Sequence, residues 1–397
     1  MPEPKNILVA FGGVSPEHEV SVLTAQQAIA SLRENGKSVT ALYISKSGRW
    51  FTGEPLLDLK RFEDLSNLEA SASPCTFAFD HYGKAVLQTQ KQGWFSKPVQ
   101  TPVDLVLTAF HGSEGENGSF QGVCEVFNLP YTGAGVTGSA IGMDKPAAKD
   151  ICRAHDIPVV EDVIVTEKAW SENSDSILQE IKNLGFPVFV KPATLGSSIG
   201  VAKTNSAEEA EQSIETAFRY DRRLLVEKAV APLIEVNCSV LGDRDDCRPS
   251  VCEQPLGREE LLSFEDKYMS GSGGEKGMAS ADRKIPAPIS DEQTRHIQDL
   301  ACRIFTVLNC SGVARLDFLV NEDTGEVFFN ELNSIPGSFS FYLWKETDLD
   351  FESLLQELFS IAFKRHREKN GQVRSYETNL LSEKAVRGIK GMKNQKS

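Results

Sequence analysis

The chain has 397 residues, with 42 Lys+Arg against 56 Asp+Glu for a formal net charge of −14. Hydrophobic residues make up 40% and charged residues 25%, which excludes a mainly disordered chain. At about 100–200 residues per domain the length suggests two to four domains. The acidic balance argues against a general nucleic-acid or anionic-membrane binder, which relies on a dominant positive field, but leaves room for an anionic small ligand in a local basic pocket.

In chain order, the apolar run Ile7–Phe11 leads into Gly12-Gly13 and reads as a strand. It is too short for a secretory core of about 7–15 apolar residues or a spanning helix of about 18. An amphipathic run from Glu19 to Glu34 and the strand SVTALYI follow, a βαβ start that favours a parallel sheet. Residues 46–100 read as short strands and turns. VDLVLTAF is a buried strand that runs into the polar loop HGSEGENG. A second section opens near Met143 with a helix over 145–155, a strand near Val159–Val165 and a helix near Ser174–Leu184. FPVFVKP and VAKT are strands joined by the turn GSSIG, and the helix 207–219 leads to LLVEKAV. A third section holds the strands IEVNCSVLG and CRPSVCEQPL, a glycine-rich insert at Ser270–Gly277 and a helix over 291–308. GVARLDFLV and EVFFNELN pair next, and a helix over 351–368 closes the fold.

The eight cysteines are scattered; the closest pair, Cys247 and Cys252, is followed by no histidine at zinc-finger spacing, so we expect reduced thiols in a cytoplasmic protein. From Lys364 to Ser397 there are ten Lys/Arg against three Asp/Glu. That stretch is expected to be a solvated basic terminus.

Gly133, Gly135 and Gly138 match G-x-G-x-x-G. The preceding NLPYT is a poor strand and no acidic residue stands where a ribose partner should, so a turn before a helix is the better reading. No Walker P-loop is present. A stronger phosphate signal is VKPATLGSSIG. The Ser197-Ser198 turn between strands exposes N–H donors, and Lys191 at a strand end supplies a point charge; an ordinary hairpin with a surface lysine is the alternative. In Arg315-Leu-Asp317 and Glu331-Leu-Asn333, positions i and i+2 of a strand share a face. Pairing these strands would gather three oxygen ligands suited to Mg²⁺ and one guanidinium; a structural salt bridge is the alternative. Lys145, Lys267, Tyr268, His111 and the Glu17-His-Glu19 helix start are weak alone. As a group with the serine turn they fit ATP-dependent acyl or phosphoryl chemistry.

From about Lys5 to Phe363 the chain resembles the D-alanine–D-alanine ligases of the ATP-grasp superfamily. The resemblance rests on FGGVSPEHEVS, FHGSEGENGSFQG, PYTGAGVTGSAIGMDK, VKPATLGSSIGV, VEKAV, DKY, GVARLDF and NELNSIPG, in the family's order. It implies an α/β ATP-grasp fold with an N-terminal parallel-sheet (preATP-grasp) domain. The expected parts are an N-terminal substrate domain over 1–142, a central grasp subdomain over 143–230, a C-terminal grasp subdomain over 231–368 and a basic tail over 369–397. The implied activity is ATP-dependent joining of two D-alanines through an acyl phosphate, for peptidoglycan precursor synthesis, with a related ligase using another acceptor as the alternative. A non-catalytic nucleotide-binding module is disfavoured by retention of Arg315, Asp317, Glu331 and Asn333 together.

By the same resemblance Lys145, Lys191, Ser197, Ser198 and Lys267 contact ATP phosphates or the loop over them. Glu227, Lys228 and Val230 line the adenine hinge, and Glu235 takes the ribose. Asp317, Glu331 and Asn333 hold two Mg²⁺ ions, with Mn²⁺ as a substitute, and Arg315 stabilises the moving phosphoryl group. Glu19 binds the first D-alanine's ammonium and joins Ser197 and Tyr268; His111 lies near that substrate, and Gly337 helps form an oxyanion site. The Ser270–Gly277 stretch would be a lid, and the partners are ATP, D-alanine and a second subunit in a homodimer. Two departures stand out. ELNSIPGSFSFYLW puts Tyr342, followed by Leu343, where the family keeps a small serine beside the acceptor. LIEVN lacks an arginine and a second glutamate that the family carries before the VLG strand. Tyr268 itself goes with an amine rather than a hydroxy-acid acceptor.

Overall fold

The computed structural model describes residues 4–91, 97–256 and 283–375. Among them three sheets surround a common cleft. The first has seven strands in the order β6-β5-β4-β3-β2-β1-β7. They are β1 (Asn6–Gly12), β2 (Ser38–Ile44), β3 (Trp50–Thr52), β4 (Ser73–Phe79), β5 (Ala85–Thr89), β6 (Gln100–Pro102) and β7 (Leu105–Thr108). β1 runs parallel to both β2 and β7, as the βαβ start requires, with the helix His18–Glu34 as the crossover. The short strands expected over residues 46–100 form an antiparallel extension to this parallel centre. The tight exit from β1 demands glycine: Gly12 has φ +89°, and a Cβ there would lie 2.2 Å from the Ile44 carbonyl oxygen.

The second sheet, β10-β9-β11-β8, is antiparallel. It contains β8 (Asp162–Thr166), β9 (Val188–Pro192), β10 (Ala202–Thr204) and β11 (Arg223–Lys228). Val188 and Val190 point into a core with Ile181, Ile214 and Leu224, under the helices Glu167–Leu184 and Ala207–Ala217. The opposite face of β9 therefore presents Lys191 to the cleft. The third sheet runs β14-β13-β12-β15-β16. Its strands are β12 (Leu233–Gly242), β13 (Cys247–Pro255), β14 (Arg283–Lys284), β15 (Gly312–Asn321) and β16 (Val327–Asn333). The helix Asp291–Val307 covers its apolar face through Ile297, Leu300, Ile304 and Phe305.

The glycine triplet at 133–138 is a turn before the helix Val136–Met143, and Gly138 packs against the Asn309 backbone. The closing helix extends to Gly371 and buries Leu354, Leu355, Leu358 and Phe359 in the core of the first sheet. The basic stretch thus does not begin as a solvated terminus. Lys364 pairs with Asp243 at 2.6 Å, Lys369 pairs with Glu125, and Arg365 donates to the Tyr131 carbonyl at 2.7 Å. Residues 376–397 lie outside the described residues. None of the described helices is long and apolar enough to cross a membrane, and the eight cysteines are free thiols.

Candidate active site

The cationic side of the cleft grows from one helix start and one strand. Asp144 caps the helix Lys145–Ala154 by accepting from the Ala147 N–H at 3.0 Å. This aims Lys145 at the cleft, where its Nζ bonds the Leu195 carbonyl and stands 3.4 Å from Glu331 Oε2. One turn later on the same helical face, Lys149 is fully buried and pairs with Glu227. Lys191 Nζ lies 2.6 Å from the other Glu227 oxygen and 3.1 Å from Asn330 Oδ1. Burial alone would raise the Glu227 carboxyl, but the two ammonium groups win and hold it at about 2. Burial lowers the Lys149 ammonium despite Glu227, whereas Lys191 is raised because Glu227 outweighs its desolvation.

The Glu227 carboxylate is 1% exposed and held between Lys149 and Lys191, so its backbone is the part of it open to the adenine hinge that the resemblance assigns. Lys228 is exposed beside it, its N–H donating to the Glu161 carbonyl at 3.0 Å, and Val230 is half-buried. Glu235 is exposed on β12, close enough to help raise Lys191.

The serine turn closes over this cluster in a left-handed conformation, with φ +54° at Ser197 and +59° at Ser198. Such backbone is costly for residues with a Cβ and persists where surrounding contacts fix it. One such contact is Ser197 Oγ donating to Glu17 of the first domain. This corrects the expectation that Glu19 meets Ser197. Glu17 stands at the N-cap position of the helix His18–Glu34 without a side-chain cap bond, and its N–H donates to Ser15 Oγ at 3.1 Å. Glu19, in the first turn, is 58% exposed and pairs with Lys46 instead.

Beneath Glu17 lies a buried polar floor. Ser15 Oγ donates to the His111 carbonyl at 2.8 Å, and His111 Nε2 sits 2.9 Å from Thr24 Oγ1. Burial first, and the Arg315 guanidinium second, depress the His111 imidazole to about 3, so it is neutral. Thr24 Oγ1 also accepts the Ser338 N–H at 3.1 Å, tying the floor to the turn that contains Gly337. Ser338, Phe339 and Ser340 all have φ near +50°, at 50°, 54° and 51°. Glu116, which sequence reading passed over within HGSEGENG, accepts from the Gly112 N–H at 2.9 Å, the Ile335 N–H at 3.0 Å and Ser334 Oγ at 3.1 Å. Burial, with the nearby charge of Glu17, lifts its carboxyl to about 7.

Opposite the lysines, register aligns a row of oxygen donors. Asn237 pairs with Asp317 across β12 and β15, Asp317 pairs with Glu331, and Arg315 pairs with Asn333. Arg315 holds Asp317 bidentately at 2.7 and 2.8 Å, and Asn333 Nδ2 donates to Asp317 at 3.1 Å. Burial raises the Asp317 carboxyl against the pull of Arg315, with Glu331 and Glu253 adding to the rise. Two carboxylates and an amide on one face are the hard oxygen donors that a divalent cation such as Mg²⁺ takes. The residues fit the metal.

Tyr342 adjoins this row. It is buried, its hydroxyl donates to Glu253 Oε1 at 3.0 Å, and the Arg283 guanidinium lies 3.9 Å from its ring centroid. Leu343 is fully buried beside it. Glu253 completes its shell with Asn237 Nδ2 at 3.1 Å and Arg283 Nη1 at 2.8 Å. Lys149 and Glu253 escaped sequence reading because a paired buried ion looks like any helix or strand charge until its partners are known. Lys267, Tyr268 and the Ser270–Gly277 stretch lie outside the described residues.

Residues 6–134 match the family profile described as "D-ala D-ala ligase N-terminus", and residues 151–360 match "D-ala D-ala ligase C-terminus". The D-alanine–D-alanine ligase of Thermosipho melanesiensis is 35% identical over 376 residues, covering 95% of this chain and 98% of that protein. The enzyme of that name from Bacillus velezensis is 34% identical, covering 90% and 98%. Among solved structures, the D-alanine–D-alanine ligase of Coxiella burnetii superposes with TM-score 0.79 at 30% identity, covering 95% of this chain and 99% of that one. The VanG D-Ala:D-Ser ligase of Enterococcus faecalis follows at TM-score 0.74 and 29% identity, covering 91% and 100%.

Proposed function

Because the chain belongs to the D-alanine–D-alanine ligase family, we propose that it joins two D-alanines at the expense of ATP to supply a peptidoglycan precursor. The observation that carries this reading is Lys145 Nζ lying 3.4 Å from Glu331 Oε2, which sets the lysine cluster and serine turn against the oxygen-donor row. A polyphosphate bound there meets cations and N–H donors on one side and carboxylates that hold a divalent ion on the other.

The D-alanine carboxylate takes the γ-phosphoryl group of ATP to give an acyl phosphate and ADP. The amine of a second D-alanine attacks the acyl carbon, and the tetrahedral intermediate expels phosphate. Lys145 and Lys191 place the phosphates under the Ser197-Ser198 turn. Lys228, Val230 and the Glu227 backbone flank the adenine, and Glu235 accepts from the ribose. Glu17, in place of Glu19, receives the ammonium of the first D-alanine above neutral His111. Arg315 and the Gly337 N–H face the oxygens on which charge develops. Asp317, Glu331 and Asn333 would hold two Mg²⁺ ions, or Mn²⁺, which neutralise phosphate charge when bound. We also assign Lys267 to ATP binding and Tyr268 to catalysis, as the resemblance implies. We assign the substrate domain to 1–142, the grasp subdomains to 143–230 and 231–368, a dimer contact to the N-terminal domain, and the reaction to the cytoplasm, where ATP is available.

Phosphate release from ATP is expected to depend on D-alanine and to match D-alanyl-D-alanine formed, read by mass spectrometry. ATP turnover without dipeptide at millimolar D-alanine would refute the assignment. A second reading, ligation of D-alanine to a different acceptor, is motivated by Tyr342 and Trp344 in ELNSIPGSFSFYLW; offering other amino acids beside D-alanine separates the two.

A further inference from the structure

Six of the eight cysteines are buried; the two that are only half-buried are Cys247, at the start of β13, and Cys302, on the helix Asp291–Val307. The fold brings these two together from 55 positions apart: Cys247 Sγ lies 4.0 Å from the Cys302 carbonyl oxygen, and the two thiols hydrogen-bond each other. Thr306, one turn further along the helix, donates to the same carbonyl at 3.0 Å and also supports the Cys247 sulfur. The hydrogen bond from Cys302 is the main influence that brings the Cys247 thiol down to about 7; burial opposes it, Thr306 assists, and the charges of Asp246 and Asp243 oppose. The same hydrogen bond, with burial and the charges of Cys247 and Asp299, raises the Cys302 thiol. One sulfur is thus suited to attack as a thiolate while its neighbour keeps a proton, the division of labour of an attacking and a resolving thiol.

Neither cysteine belongs to the cleft. Both pack against the core under the helix, on the side of the third sheet to which Val236, Cys238 and Val240 point, whereas Asn237 and its partner Asp317 occupy the other face. Cys238 and Cys252, directly opposite each other on β12 and β13, form a second thiol pair, but they are 0% and 1% exposed, and their mutual hydrogen bond and burial raise the Cys238 thiol. They lack the access that the first pair has.

We propose that Cys247 and Cys302 form a redox modification site at which a peroxide oxidises the pair to a reversible disulfide. The Cys247 thiolate attacks one peroxide oxygen, the O–O bond breaks, and the departing hydroxide takes a proton to leave as water, giving a sulfenic acid. The Cys302 sulfur then attacks the Cys247 sulfur; the S–S bond forms, the S–O bond breaks, and the second hydroxide leaves as water with the Cys302 proton. Two thiols and one hydrogen peroxide become one disulfide and two waters. The bridge ties the helix to β13 behind the oxygen-donor row, and the site is independent of the ligase reading.

The test exposes the reduced full-length protein to hydrogen peroxide near neutral pH, unfolds it, alkylates the remaining thiols and maps them by mass spectrometry. Cys247 should be joined to Cys302 with the other six cysteines alkylated, and a dithiol reductant should restore both thiols. Cys302→Ser should stop at a Cys247 sulfenic acid, trapped by dimedone. Cys247→Ser should leave Cys302 a free thiol and consume peroxide about tenfold more slowly than the unsubstituted protein. Should either serine variant not fold, judged by far-ultraviolet circular dichroism, timed alkylation of the native unsubstituted protein replaces it: iodoacetamide should modify Cys247 about tenfold faster than any buried thiol. Free Cys247 and Cys302 after peroxide would overturn the proposal. So would a bridge between Cys238 and Cys252 in their place, or a Cys247 that reacts no faster than the buried thiols.

Discussion

Glu17 and Glu19 stand two positions apart at one helix start, which on a 3.6-residue turn points them roughly 200° apart. Either acid suits the helix dipole, so local sequence cannot choose between them. The choice is made by Ser197, 180 positions along the chain, which donates to Glu17. A charge-assisted hydrogen bond is worth about 1.5–3 kcal/mol, so Glu17→Gln should reduce kcat/KM for the first D-alanine by about 10–100-fold. Glu19→Gln removes only an exposed ion pair and should stay within about twofold. Steady-state kinetics on the two variants decide the matter, and the reverse ranking would restore Glu19 to the site. Glu253 shows the same limit of sequence reading. Its strand was evident, but its burial depends on Asn237, Arg283 and Tyr342, which arrive from three other elements.

At the scale of elements, KNILVAF, SVTALYI, FPVFVKP and GVARLDFLV declared themselves as strands because their apolar runs are bounded by turns or charges. The pairing of ARLDF with NELN followed from period-two alternation. Residues 46–100 were legible only as short strands and turns, without their pairing, because β3 and β6 have three residues each, too few for a pattern. The helix Lys145–Ala154 was legible as a helix but not as a carrier of a buried ion: Lys149 in KPAAK looks like any solvated lysine. Lys149→Met would strip Glu227 of one of its two cations, which should lower unfolding stability by about 3–5 kcal/mol, and adding Glu227→Gln should recover much of that loss. Urea unfolding of the single and double variants measures it; a neutral single variant would mean the pair carries no such coupling. The Glu227 carboxyl is depressed, so its contribution is complete above about pH 4.5 and is lost as pH falls toward 2.

Over the whole molecule, the cleft exists because distant segments tie the sheets together. Glu116 accepts from Ile335, Ser197 donates to Glu17, Lys145 faces Glu331, and Arg365 of the closing helix stacks at 4.2 Å over Tyr131. These contacts explain how a chain of net charge −14 can receive a polyanion. Attraction comes from local cations and N–H groups rather than from the overall field. The order of motifs along the chain made the architecture readable, while the ion pairs that organise the cleft join residues too far apart in sequence to be inferred locally. The central claim is that one oxygen of the D-alanine carboxylate passes through an acyl phosphate. D-alanine carrying ¹⁸O in its carboxylate, turned over with unlabelled ATP, tests this directly: each dipeptide formed should release phosphate with one ¹⁸O atom, and unlabelled phosphate accompanying labelled dipeptide would contradict it.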